Sequence, residues 1–217
     1  MVGSLDVQVE LDDKLGVALS LVNLSIVTLA EGDYSSAQAI CEESLAIRRE
    51  LGDRPGVAEC LIRLGEIEHL RGNYSKAEYF YHRSLGTYQD LDDRSGISNA
   101  LLDLGHAAHR QGRLRRAAAL CKQSLAIERD LREKRGIIEG LAALASVAVS
   151  LSQLDKAEKL FAAVNSLLHT LGFHLYPLDR IEYERSVAAL NELRNAQART
   201  VEEKILPVEA AISYALE

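Results

Sequence analysis

The chain has 217 residues, 47% of them apolar, a net charge of −7, no Trp and three Cys. That apolar share supports a sizeable core and argues against global disorder, while the acidic total excludes a general attraction to a nucleic-acid backbone. No apolar run approaches the roughly 18 residues of a membrane span, and the start, MVGSLDVQVE, lacks the basic and apolar parts of a secretion signal. Cys41, Cys60 and Cys121 are too few and too odd in number for a disulfide framework, so a cytoplasmic chain is expected.

Residues 4–16, SLDVQVELDDKLG, introduce a phrase that recurs as SLAIRRELGDRPG from Ser44, SLGTYQDLDDRSG from Ser84 and SLAIERDLREKRG from Ser124, once every 40 residues. Four blocks follow from this period: 11–50, 51–90, 91–130 and 131–170. Each carries a glycine (Gly16, Gly56, Gly96, Gly136) and then leucines three apart (Leu21/Leu24, Leu61/Leu64, Leu101/Leu104, Leu141/Leu144). A turn follows (EGDY, RGNY, QGRL, LSQL), and three residues beyond it stands an alanine, Ala37, Ala77, Ala117 or Ala157. Apolar spacings of three and four are helical, and the Gly-Asp and Gly-Asn steps break the helix. Each block is therefore expected to be two helices, and because one pair cannot bury its own apolar face, the pairs must stack.

Residues 1–10 match only the back half of a second helix and are read as a truncated preceding repeat, with the chain as the C-terminal part of a longer array. The alternative is that they fold over as a cap. The next segment, GVALSLVNLSIVTLA, is apolar nearly all round. Leu19, Val22, Ile26 and Leu29 are therefore expected to form an N-terminal interface, joining two copies as a homodimer or covered by a parent protein. The arginines Arg110, Arg113, Arg115 and Arg116 make a local basic cluster, read as a solvated turn or a contact for an acidic protein rather than for nucleic acid.

The pattern Leu61-x-x-Leu64-Gly65, Gly72-Asn73-Tyr74, Ala77-x-x-x-Tyr81 resembles the tetratricopeptide repeat, in a 40-residue form with extended second helices. Leu stands where Trp is common and the closing Pro is missing. The resemblance implies an all-α, right-handed solenoid whose first helices line a concave groove for peptides. Periodicity and resemblance together assign Asn23, Arg63, Glu66, His69, Asn99, Asp103, His106, His109 and Arg110 to that groove or its border.

Residues 171–217 change character and are read as helices capping the stack. Asp179 is placed to cap a helix with Glu182 as its capping-box partner, and Pro207 suits a first helical position. FAAVNSLLHTLGFHLYPLDRIEYERSVAALNELR, with LPVEAAISYALE, resembles the C-terminal end of bacterial signalling ATPases and transcription regulators of the LuxR and AfsR type, departing from it at Thr200 and Glu203. That resemblance implies the sensor or regulatory arm of such a protein, its own parent ATPase domain as a candidate partner, and signal transduction as the setting. No Gly-Lys-Ser/Thr phosphate loop occurs in the sequence.

The functional expectation is a non-enzymatic scaffold binding a protein or peptide in the groove, with no cofactor, no metal and no membrane partner. A freestanding peptide receptor is the first alternative. A metal enzyme is the remote one: His69, His106 and His109 lie on one predicted stripe but lack an accompanying carboxylate or Cys cluster. Cys41 and Cys121 hold equivalent places two blocks apart, beyond disulfide reach, and read as small core residues. Glu66, Glu68, Glu202 and Glu203 read as surface charge.

Overall fold

The computed structural model describes residues 13–197 and 207–216. The expectations placed on residues 1–10 and on Thr200, Glu202 and Glu203 lie outside the described residues. Ten α-helices and no strand occur among the described residues: α1 (Lys14–Ala30), α2 (Tyr34–Glu50), α3 (Arg54–Leu70), α4 (Tyr74–Asp90), α5 (Arg94–Arg110), α6 (Leu114–Leu131), α7 (Lys134–Ser150), α8 (Leu154–Leu171), α9 (Pro177–Gln197) and α10 (Val208–Leu216). The fold class is the all-α solenoid type, built from successive helix pairs.

The period visible in the sequence is itself halved in the backbone. Left-handed residues fall every 20 positions, at Gly32, Gly52, Gly72, Asp92, Gly112, Arg132, Ser152 and Gly172. All but Gly172 end a helix in the same way. Gly32 N–H donates to the Leu29 carbonyl (3.0 Å) and Asp33 N–H to the Thr28 carbonyl (3.2 Å), the paired bonds of a Schellman motif. The same pairs recur at Gly52/Asp53, Gly72/Asn73, Asp92/Asp93, Gly112/Arg113, Arg132/Glu133 and Ser152/Gln153. At every link but the one after Gly172, the residue after the left-handed one starts the next helix. Asp13, Asp33, Asp53 and Asp93 each accept from the backbone N–H three residues on, at 2.9–3.0 Å. One short link thus satisfies the orphan carbonyls of one helix and the orphan amides of the next.

The glycine of the recurring phrase has a packing reason. A Cβ at Gly56 would overlap Arg48, at Gly96 the Tyr88 ring, and at Gly136 the Glu128 side chain. In each case a long residue near the end of one second helix lies across the first turn of the next pair, and only the absence of a side chain leaves room for it.

The chain divides into two compact units, Met1–Ala100 and Leu101–Glu217. In the first, α1 packs on α2, α3 chiefly on α4, and α3 also on α2. Its core gathers Val22, Leu29, Cys41, Leu45, Leu64 and Ile67. In the second, α7 packs on α6 and α8 around Leu125, Ile138, Leu141, Leu160 and Phe161. There α10 closes the core with Ala211, Ile212 and Ala215, all buried.

Candidate functional site

In the first unit the expected binding residues separate by depth. Asn23 and Asn99 are exposed. Arg63 is half-buried and grips the Glu66 carboxylate with one Nη1, at 2.8 and 2.6 Å from its two oxygens. Glu66 and His69 are only 6% and 2% exposed, and the His69 ring meets Tyr74 edge-on at 5.1 Å. Glu66 is therefore not the surface charge expected from the sequence, and His69 is an interior side chain as well.

Two further corrections belong to this unit. Glu68 is buried, because it closes the α3–α4 turn: Arg71 (3.0 Å), Lys76 (2.9 Å) and Asn73 (2.8 Å) all donate to it. Burial pushes its carboxyl up, but these donors outweigh burial and hold it below the usual range. The proposed N-terminal stripe also breaks up. Leu19 is exposed and Ile26 is half-buried, but Val22 and Leu29 are core residues, 2% and 4% exposed. Contact of α1 with both α2 and α3 covers them. The exposed apolar residues of α1 are instead Leu15, Leu19 and Val27.

The sequence reading missed a thiol pair. Cys41 Sγ lies 3.4 Å from the Cys60 carbonyl, and Cys60 Sγ lies 3.6 Å from Ser44 Oγ. All three cysteines are buried and free. The neighbouring thiol and burial push Cys41 upward, and burial with the nearby Asp179 pushes Cys121 up to about 12. Cys41 and Cys121 are thus inert core thiols, whereas the hydrogen bond with Cys41 holds Cys60 below the ordinary thiol range despite its burial.

The second unit holds the more informative arrangement. An ordinary next repeat would set its first helix against the preceding second helix, as α3 does on α2 and α7 on α6. Helix α9 does otherwise: it packs chiefly on α7 and only lightly on α8. The 20-residue cadence explains the shift. Among the described residues the last left-handed one is Gly172, yet α9 begins only at Pro177, so it leaves the register of the repeats. Asp179 is consequently inside the first turn and is not the cap that the sequence suggested.

Freed from capping, Asp179 reaches α5, its Oδ1 3.0 Å from His106 Nε2. One turn on, Glu182 lies 3.8 Å from Arg110 Nε and accepts from Arg185 at 2.9 Å. The buried stripe of α9 is Leu178, Glu182, Ser186 and Leu190, each four residues from the last, which places them on one helix face. On α7, Glu139, Ala142, Ser146 and Val149 are buried as well. Asp103 is 7% exposed and His106 3%, so these two are interior side chains rather than open contacts. His109 Nε2 meets Ser150 Oγ at 2.7 Å. His106 and His109 therefore turn to different partners, and among the described residues no group of His, Cys, Asp and Glu converges as metal ligands would.

The tetratricopeptide repeat family matches residues 5–90 and, with a second family profile, 100–135. The chain carries tetratricopeptide repeats. No curated protein matches its sequence. Among solved structures, BtubC (BKLC) from P. vanneervenii is 18% identical, with a TM-score of 0.56 over 90% of this chain and 70% of that one. A putative kinesin light chain from Podosopora anserina with nearly identical TPR-like repeats is 15% identical, with a TM-score of 0.56 over 90% of this chain and 93% of that one. A single-substitution form of the latter gives the same identity and score, with 92% of its chain covered. At these identities the likeness shows the fold. The tetratricopeptide repeat is a scaffold for protein interaction and not an enzyme family, and the matched residues stop before α9. Among the described residues no helix is long and apolar enough to cross a membrane.

Proposed function

We propose that this repeat chain is a protein- or peptide-binding arm of a bacterial signal-transduction ATPase or transcription regulator, working in the cytoplasm. The observation that carries the reading is in the second unit. There the faces of two successive first helices, α5 and α7, hold a helical segment of the chain through His106 and Arg110, side chains assigned to binding on sequence grounds. A face that accepts one helix by charge and shape is suited to accept others. The regulator setting rests on the resemblance of residues 161–217 to the ends of such proteins.

In the first unit the exposed Asn23 and Asn99 are the contacts proposed for a ligand. Asn23→Arg with Asn99→Arg should leave stability within about 0.5 kcal/mol and remove the partner. The test is capture from the source cell with wild-type and variant chains, followed by mass spectrometry. A nucleotide-binding regulator captured by wild type and lost by the variant supports the proposal. A short peptide lost in the same way would mark a freestanding receptor instead. Identical capture by both chains would overturn this placement of the site.

A further inference from the structure

We propose that α9 is a displaceable resident of the α5–α7 face, and that the partner of this face is an acidic amphipathic helix presenting the same spacing of groups. The inference rests on the binding reading above and deepens it for the second unit. The pattern is a leucine at the position of Leu178, carboxylates at those of Asp179 and Glu182, a small hydroxyl at that of Ser186 and a second leucine at that of Leu190.

Three observations carry it. The first is position. Helix α9 sits off the repeat register, over α7 and reaching α5, where the next first helix would have lain chiefly against the second helix α8. The second is chemistry. Helix α9 does pack Leu190, Tyr183, Val187 and Leu193 on the core that α10 closes with Ala211, Ile212 and Ala215, yet its buried stripe is not apolar throughout. The middle of the α9 stripe is instead Glu182 and Ser186, 1% and 7% exposed, with Asp179 beside them on His106. Burying a carboxylate against a cation returns little net stability, because desolvation offsets the attraction, but it strongly favours a ligand of the right charge over a wrong one. Such contacts select a partner more than they weld a cap.

The third observation is the tether. Arg135, in the first turn of α7, lies over the rings of Phe173 (4.8 Å) and Tyr176 (5.1 Å) and donates to the His174 carbonyl at 2.7 Å. The link into α9 is thus pinned beside the face that α9 occupies. A tethered helix competes at a high effective concentration, so a free helix of the same pattern binds in proportion to the fraction of chains in which α9 has left.

The test uses the full chain and a fluorescein-labelled peptide of residues 175–195. Binding is read by fluorescence anisotropy at low salt, and amide exchange is followed on α7 and α9. In the chain carrying Asp179→Lys and Glu182→Lys, α9 amides should lose protection while α7 amides keep theirs. The peptide should then bind this chain at least about tenfold more tightly than it binds wild type. Adding His106→Glu and Arg110→Glu should abolish that binding. Equal binding by the wild-type and opened chains would overturn the displaceable resident while leaving the binding face intact. No binding by an opened chain would overturn the face itself. Loss of α7 protection in the variant would show α9 to be an integral part of the core and would also overturn the proposal.

Discussion

Relief of backbone strain at the helix links gives a stability change that the cadence itself predicts. Five of the eight left-handed positions are glycine, and three are not: Asp92 (φ 54°), Arg132 (φ 59°) and Ser152 (φ 57°). Their backbones make the same closing bonds, with N–H donating to the carbonyl three residues back at 3.2, 3.1 and 2.9 Å. Their side chains are exposed, so replacement by glycine changes the local strain and little else. An L-residue in this region costs about 1–2 kcal/mol, and glycine's freedom in the unfolded chain gives back about 0.5–1 kcal/mol. Asp tolerates the region better than Arg or Ser, and Arg132 loses about 0.3 kcal/mol of favourable charge at the end of α6. Arg132→Gly and Ser152→Gly should therefore each stabilise by about 0.5 kcal/mol, and Asp92→Gly by close to nothing. The two sites are 20 residues apart and should add, for a sum of about 1 kcal/mol, or about 2–4 °C in Tm for a chain of this size. Urea and thermal melts followed by circular dichroism measure it. Gly32→Ala and Gly72→Ala, at φ 85° and 83°, should shift the midpoint the other way by about 1 kcal/mol each. A double glycine variant that melts below wild type, or alanine variants that melt with it, would refute the strain argument.

Other outcomes follow from particular contacts. A Cβ at Gly105 would lie 2.5 Å from Cys121 Sγ, so Gly105→Ala should cost about 1–3 kcal/mol; pairing it with Cys121→Ala should recover part of that loss, which a double-mutant cycle from chemical denaturation reads directly. On α1, Leu19→Lys should be nearly neutral, within about 0.5 kcal/mol, while Val22→Lys, at a buried position, should cost more than about 3 kcal/mol; equal effects would restore the sequence-based stripe. Glu68 has a folded carboxyl value below its ordinary 4.5, so its stabilisation is complete above that value and is lost as pH falls through the folded one. Glu68→Gln should thus cost about 1–2 kcal/mol at pH 7 and almost nothing once wild-type Glu68 is itself protonated, a difference that melts across the acid range reveal.

The sequence alone determined the helical pairs and their stacking, because these depend on local signals. Leucines three apart set the buried stripe, and the Gly-Asp and Gly-Asn steps set the breaks. It did not expose the 20-residue half-period, because a left-handed φ leaves no mark when Asp92, Arg132 or Ser152 carries it instead of glycine. It placed His106 and Arg110 on a contact face but could not say what they touch. Their partners, Asp179 and Glu182, are more than 70 residues away and carry an ordinary capping pattern, and only the late start of α9 at Pro177 turns them from helix caps into cross-helix ligands. Depth was likewise a tertiary decision. Helical spacing gives the direction of a side chain, but whether Val22, Glu66, His69 or Asp103 meets water depends on which neighbouring helix lies over it, and α9 lies over α7 for reasons of register that no local spacing records.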